Sequence, residues 1–325
     1  MPFNICAVGC GHIAHAMHGP SYLRYQSENS SAVFAGCCDI DLGKAEYFKS
    51  KFNFRNAYTD MDIMIRMEKP DAVCLLSPVD VTASLAADIL GKGIPLLLEK
   101  PPGKTRGEIA QLIDIAEKKG VPNRVAFNRR YAPLVIELNE LLNAERAPDR
   151  IRSIQYDMFR VDRADEDFST TAIHAIDAAR FIACSDFARV KFTYRDYPDP
   201  SRNTADIYLV CEMKSGAIAN INICPMTGIT KEAATVICRD KTYCLDFLGN
   251  PLNPLGRLTA IEKNDITADI SGATEPFVRE GFYNENKTFF DDIIAGRQPT
   301  GGVDTAFQSV VLAECVRERV REYTF

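Results

Sequence analysis

Ile5-Cys6-Ala7-Val8-Gly9-Cys10-Gly11-His12-Ile13-Ala14 decides the fold of this chain. Residues 5–8 are short, apolar and partly β-branched, the pattern of a buried strand, and residues 13–25 carry the pattern of a helix. A glycine turn placed directly between a strand and a helix is the context that a dinucleotide-binding fingerprint requires. Gly9 permits the tight turn, Gly11 lets the backbone approach a pyrophosphate, and Ala14 is small enough for close helix-to-strand packing. The amide groups of the helix start, at His12 and Ile13, then face the phosphates. The same letters also suit a turn built of small residues for packing alone, so a second signal is needed.

Residues 32–38 supply it, because this second strand ends in Cys37-Cys38-Asp39. Asp39 lies where the adenosine ribose would sit; its carboxylate accepts from the 2′- and 3′-hydroxyls and repels a 2′-phosphate, which favours NAD over NADP. The competing role, amino-terminal cap of the next helix, is open to Asp41. Downstream the rhythm of a parallel α/β sheet continues: helices over 42–51, 60–67, 84–90 and 106–119 alternate with strands at 72–76, 95–98 and 124–127. The rhythm changes after Tyr131. A helix over 133–142 leads to the polar turn 145–150, a strand at 151–159 and a helix at 174–183. Strands at 190–194, 205–213, 217–223, 233–238, 243–248 and 258–262 then follow one another through short turns, which predicts antiparallel neighbours in an α+β domain. Helices over 283–295 and 305–321 close the chain. The domains are read as 1–124 and 125–325.

Composition sets further bounds. The chain has 325 residues, more than one hydrophobic core usually serves, and its apolar fraction of 46% is that of a globular protein. A net charge of −6 without a long basic run argues against a nucleic-acid partner. No apolar stretch approaches a membrane span, and the strand pattern begins at once, so no membrane partner and a cytoplasmic location are expected. The 11 cysteines are odd in number and lie mostly in strand-like runs, which reads as reduced core thiols. Cys10 is set apart as an exposed loop thiol open to oxidation. His12, His15 and His18 lack the companions of a tetrahedral set; no metal is expected, and polar contacts around the phosphate-facing helix are their reading.

The strand at 95–98 stops at Glu99-Lys100-Pro101, beyond the carboxyl end of a core strand, where open α/β sheets bind ligands. A half-desolvated lysine there can trade protons with a substrate; the plainer reading is a surface ion pair. Together with the glycine loop and Asp39, the motifs Ser77-Pro78, Glu99-Lys100-Pro101, Asn128-Arg129-Arg130-Tyr131 and Gly281-Phe282 through Gly296-Arg297-Gln298-Pro299 resemble the Gfo/Idh/MocA family of nicotinamide-dependent oxidoreductases. The resemblance implies an α/β chain: an amino-terminal Rossmann doubly wound parallel sheet, then a carboxyl-terminal α+β domain with an open, mostly antiparallel sheet for substrate binding and oligomerisation. It implies a dehydrogenase acting on a sugar, cyclitol or related polyol, with Gly9, Gly11, His12, Ile13, Ala14, Asp39, Ser77, Pro78, Glu99, Lys100 and Asn128 on the cofactor side.

It also implies that Lys100 works with a histidine of the second domain, and His174 is the one present there. In hydroxyl oxidation His174 would take the proton while Lys100 polarises the oxygen; on its own His174 is equally a hydrogen-bonded core histidine. Arg130, Asp177 and Thr170 are the candidate substrate contacts, Arg130 having as its alternative an ion pair with the acidic stretch 162–167. The chain departs from the family pattern at Thr170, where an aspartate is expected four residues before the histidine, at Ala172 in place of a glycine, and at Thr82 in place of a histidine. Asp165 and Asp167 are possible substitutes for the missing carboxylate. That loss motivates a second reading, a catalytically silent cofactor sensor; a third is a reductase preferring NADP. The open sheet, with apolar strands such as 218–223, needs covering, which predicts a homodimer or homotetramer.

Overall fold

Continuous apolar runs separated by amphipathic helices give the first sheet, whose strands, apart from the edge strand at 56–58, are buried on both faces. The structure, a computed structural model, describes residues 2–144, 151–165, 167–197 and 204–325. Six parallel strands, β1 (Phe3–Val8), β2 (Ala32–Cys38), β3 (Asn56–Tyr58), β4 (Ala72–Leu75), β5 (Leu96–Glu99) and β6 (Asn123–Ala126), lie in the order β3-β2-β1-β4-β5-β6. That order reverses between β1 and β4, so the ligand-accepting crevice of this sheet lies beyond their carboxyl ends. The helices are α1 (Gly19–Glu28), α2 (Leu42–Phe52), α3 (Met61–Glu68), α4 (Val79–Gly91) and α5 (Arg106–Lys119). α5 has the expected bounds, fixed by a capping box between Thr105 and Glu108 and by Gly120 in the left-handed region.

The helix expected over 13–25 differs. A π turn, Ala14–His18, precedes α1. Pro20 accounts for it: proline has no N–H, and its ring displaces the preceding carbonyl of a regular helix. The wider turn accommodates both.

The second unit is built on α6 (Pro133–Ala144), β7 (Ser153–Phe159), α7 (Ser169–Ala183), β8 (Phe187–Asp196), β9 (Ala205–Met213), β10 (Ile218–Cys224), β11 (Lys231–Ile237), β12 (Lys241–Asp246), β13 (Arg257–Glu262), β14 (Asp265–Ser271) and the short helix α8 (Pro276–Arg279). With the terminal strand β15 (Glu322–Thr324), nine strands run β14-β13-β12-β11-β7-β10-β9-β8-β15. Every described neighbour pair is antiparallel except β7 and β10. The sheet is mostly antiparallel, as expected; the parallel pair arises because β7 is followed by α7, longer than expected, and then by β8 and β9, which together return the chain beside β7 in its own direction. Alternation is strict on β9 and β10: Ile207, Leu209, Cys211, Ala219, Ile221 and Ile223 are buried, whereas Tyr208, Val210, Asn220 and Asn222 face outward. One face is thus core and the other open. The polar turn expected at 145–150 lies outside the described residues.

The chain divides into two compact units, Met1–Asn128 with Phe282–Val310, and Arg129–Gly281 with Val311–Phe325. A single cut at 124/125 does not describe this, because α9 (Phe282–Ile294) and the start of α10 (Val303–Arg317) belong with the Rossmann sheet. Arg124 is the anchor. Its buried guanidinium donates to the carbonyls of Glu285 (2.8 Å) and Thr300 (2.9 Å), to Thr288 Oγ1 (2.7 Å) and to Asp292 (3.2 Å). Phe290 of α9 packs against Phe3, Tyr22 and Tyr25. Among the described residues no helix is long and apolar enough to cross a membrane.

Candidate active site

The two glycines of the loop have different reasons to be glycine. Gly9 has φ +98°, and a Cβ there would collide with the Leu76 carbonyl at the end of β4, so the fold itself demands it. A Cβ at Gly11 would meet nothing within 4 Å among the described residues beyond its chain neighbours. None of those residues requires a glycine at 11; open space over the loop is what close approach of a pyrophosphate uses. Ala14 is fully buried, while His12 stays exposed at the helix start and Ile13 is half-buried.

Asp39 joins the loop directly, its Oδ2 accepting the Cys10 N–H (2.8 Å) and its Oδ1 the Asp41 N–H (3.0 Å). Asp41 takes the capping role, accepting from the amides of Gly43 and Lys44. Asp39 is therefore held beside the glycine loop at the end of β2, and the next residue, Ile40, is an almost fully exposed aliphatic. The loop residue between the glycines corrects an expectation: Cys10 is buried, and the neighbouring Cys37 thiol together with burial pushes its pKa far upward. A thiol held protonated is a poor target for oxidation.

The three histidines go separate ways. His15 stacks on Tyr47 at 5.0 Å and meets Phe48 edge-on, with burial lowering its pKa; His18 is fully buried. The polar contacts expected around this helix are made by His18, with Glu99 and Asn286, whereas the contacts of His15 are with aromatic rings. Among the described residues there is no group of three or more His, Cys, Asp or Glu side chains placed to hold a metal.

At the end of β4, the Leu76 amide donates to the Val8 carbonyl, which sets Ser77-Pro78 beside the glycine loop. Thr82 is buried and bonds to Ser77 Oγ and to the Ser77 and Pro78 carbonyls, tying the start of α4 where a histidine was expected. β5 continues through Glu99, whose side chain turns inward. Its Oε1 accepts from His18 Nε2 (2.9 Å) and its Oε2 from the Lys100 N–H (3.0 Å). The reading of Glu99 as a cofactor contact gives way to this internal role. Lys100 is half-buried just past the strand, on the same sheet edge as Gly9, Gly11 and Asp39. Asn128 opens a buried 3₁₀ turn, Asn128–Tyr131.

In the second unit, α7 carries Thr170, His174 and Asp177. His174 is half-buried, and Asp177 lies one turn further along the same helix face. Arg130 and Asp177 form a buried bidentate pair, Nε to Oδ2 at 2.8 Å and Nη2 to Oδ1 at 2.6 Å. Nε and Nη2 of Arg130, the fork expected for a substrate, are thus engaged by Asp177, a partner that the sequence reading did not name for it. Thr170 Oγ1 donates to the Asp167 carbonyl. The two candidate substitutes for the missing carboxylate have other work. Asp167 accepts from the amide and hydroxyl of Ser169, and Asp165 binds Thr171 Oγ1 and Arg163, each at 2.6 Å.

Sequence reasoning missed Arg124, Glu232, Asn286 and the inward role of His18. A charged residue at the start of a strand pattern was the available signal at Arg124; Glu232 falls just outside the strand read at 233–238, and for Asn286 there was none.

The match to known proteins begins at this site. Residues 3–127 fit the model of the oxidoreductase family with an NAD-binding Rossmann fold, Gfo/Idh/MocA. D-glucoside 3-dehydrogenase of Escherichia coli K12 is 27% identical over 139 residues, 43% of this chain and 38% of that protein. The matches span about two fifths of the length of the curated relatives that head the comparison. The fold extends further. A dehydrogenase from Chromobacterium violaceum superposes with a TM-score of 0.84 over 96% of this chain and 93% of its own, at 19% identity. Levoglucosan dehydrogenase, solved in complex with NADH, does so with 0.83 over 98% and 96%, at 17% identity.

Proposed function

We propose that this protein is an NAD-dependent dehydrogenase that moves a hydride between nicotinamide and the hydroxyl-bearing carbon of a sugar, cyclitol or related polyol. The observation that carries it is the shared sheet edge: the open space over Gly11, the Asp39 carboxylate tied to the loop and Lys100 all lie beyond the carboxyl ends of parallel strands. The glycine loop and Ser77-Pro78 would hold the dinucleotide, and Asp39 its ribose; bound NAD supplies the hydride acceptor. Lys100 polarises the substrate hydroxyl, and His174 takes its proton, the roles that the family resemblance implies. The sugar-acting names of D-glucoside 3-dehydrogenase and levoglucosan dehydrogenase support the substrate class.

Lys100→Ala is expected to abolish turnover while leaving NADH affinity within about threefold by fluorescence titration, a change of under ~1 kcal/mol. Full turnover by that variant overturns the assignment. A cofactor sensor remains the second reading, favoured by Thr170 and by the other engagements of Asp165 and Asp167. Incubation with NAD and a polyol panel separates the two, since binding without NADH production anywhere supports the sensor. Tighter binding of NADPH than of NADH would favour the NADP reductase instead and remove Asp39 from its ribose role. We also infer a homodimer or homotetramer through the open sheet face, supported by the exposed Val210, Ile218 and Ile237; light scattering that finds a monomer would refute it.

A further inference from the structure

The charged end of β5 is held from inside the Rossmann unit by a short chain of buried polar groups. Asn286, on α9, donates from Nδ2 to the Phe282 carbonyl at 2.7 Å, which fixes the orientation of its amide. The same nitrogen lies 3.1 Å from His18 Nδ1, closer than the amide oxygen at 3.4 Å. An amide nitrogen carries two hydrogens, so it serves both acceptors, and His18 Nδ1 is then the imidazole's lone-pair nitrogen. The proton of a neutral ring sits on Nε2, which donates to Glu99 Oε1 at 2.9 Å. Glu99 passes the constraint on, because its Oε2 accepts the backbone N–H of Lys100 at 3.0 Å.

His18 and Asn286 are both fully buried, and Phe282 meets the His18 ring edge-on at 5.3 Å. Neither side chain is open to a ligand arriving from solvent. A tighter purpose than packing is written in the chemistry, since apolar residues would fill this space without a desolvated carboxylate to satisfy. We propose that His18 and Asn286 are positioning residues, a hydrogen-bonded relay that fixes the Glu99 carboxylate and through it the backbone direction from which the Lys100 side chain leaves the sheet. The inference rests on the dehydrogenase reading for its catalytic consequence, but the geometry that it describes exists without turnover. Misplacing a reacting group by about 1 Å costs on the order of a hundredfold in rate, so a relay this far from the chemistry has leverage on it.

The test has three arms. In His18→Leu and in Asn286→Leu, kcat is expected to fall at least about tenfold with KM for NAD and polyol within about threefold, as for a reacting group displaced rather than a binding site lost. His18→Gln, whose amide can still donate to Glu99, is expected to recover most of the rate. In the second arm, Lys100 is labelled in the cofactor-free protein with an amine-acylating reagent and followed by mass spectrometry, with the exposed Lys118 of α5 as internal reference. The relay predicts that His18→Leu changes the Lys100 rate several-fold while Lys118 is unmoved. Unchanged Lys100 labelling in a folded variant overturns the proposal, as does a parallel change at both lysines. Altered Lys100 labelling in a protein that oxidises no polyol supports the relay and sinks the dehydrogenase reading instead. The third arm needs no variant: nitrogen-15 NMR of the wild-type protein should find the neutral His18 ring in its Nε2–H tautomer, and the Nδ1–H tautomer overturns the assignment.

Discussion

Gly9 and Gly11 are the same letter in the sequence and opposite cases in the structure. At Gly9 the left-handed φ and the Leu76 carbonyl both exclude a side chain. Gly9→Ala is therefore expected to cost more than about 2 kcal/mol of stability, seen as a lower denaturant midpoint. Gly11→Ala should leave stability within about 0.5 kcal/mol, because its Cβ meets nothing, yet weaken NADH binding at least about tenfold. Equal stability losses in the two variants would refute this division of labour. The pattern of the loop, and Asp39 at the end of β2, were legible because each acts within its own neighbourhood. Glu99 and Arg130 were legible only as charges at strand ends. Where each points is set by His18 and Asp177, distant in sequence, and no local pattern carries that information.

Among the elements, β11 shows why a strand boundary can be misread. Alternation places its start at Ala233, since Lys231-Glu232 reads as a polar break, whereas β11 begins at Lys231 with Glu232 fully buried. The missing information is again distant: Arg129 grips the carboxylate at 2.9 and 3.2 Å, Arg160 pairs with it, and Tyr156 donates at 3.0 Å. Burial alone would raise the Glu232 pKa, but the two guanidinium groups overcome that and hold it at about 2, down from 4.5. A carboxylate depressed in the folded state stabilises fully above its unfolded value, and that contribution is lost as pH falls from about 4.5 through about 2. Acid titration of the wild-type protein should show stability falling in that window. Glu232→Gln should lose about 3–5 kcal/mol at neutral pH, by leaving buried guanidinium groups uncompensated, and flatten the acid limb. An unchanged acid limb in that variant would count against the network. The edge strands β3, β14 and β15 escaped the sequence reading for a simpler reason: they are short or largely exposed, so their hydrophobic alternation is faint.

At the scale of the whole molecule, the Rossmann unit is discontinuous, made of Met1–Asn128 and Phe282–Val310. Residues 1–128 expressed alone lack the partners of Arg124 and the α9 ring that covers Tyr25 and Phe3. Circular dichroism is expected to find no cooperative melting in that fragment, and to find it restored when residues 282–310 are joined on through a flexible linker. Cooperative melting of the bare fragment would show that the second segment is dispensable. The amino-terminal strands were readable one by one, but their completion by a segment from the far end of the chain was not, because helical periodicity says nothing about which sheet a helix covers. The order in which a ribosome releases these pieces then becomes consequential. At about 5–20 residues per second, the first 128 residues wait roughly ten to forty seconds before residue 310 is made. For that interval Tyr22, Tyr25 and Phe3 are without Phe290, and the nascent Rossmann half is the stretch that chaperones have the longest opportunity to meet.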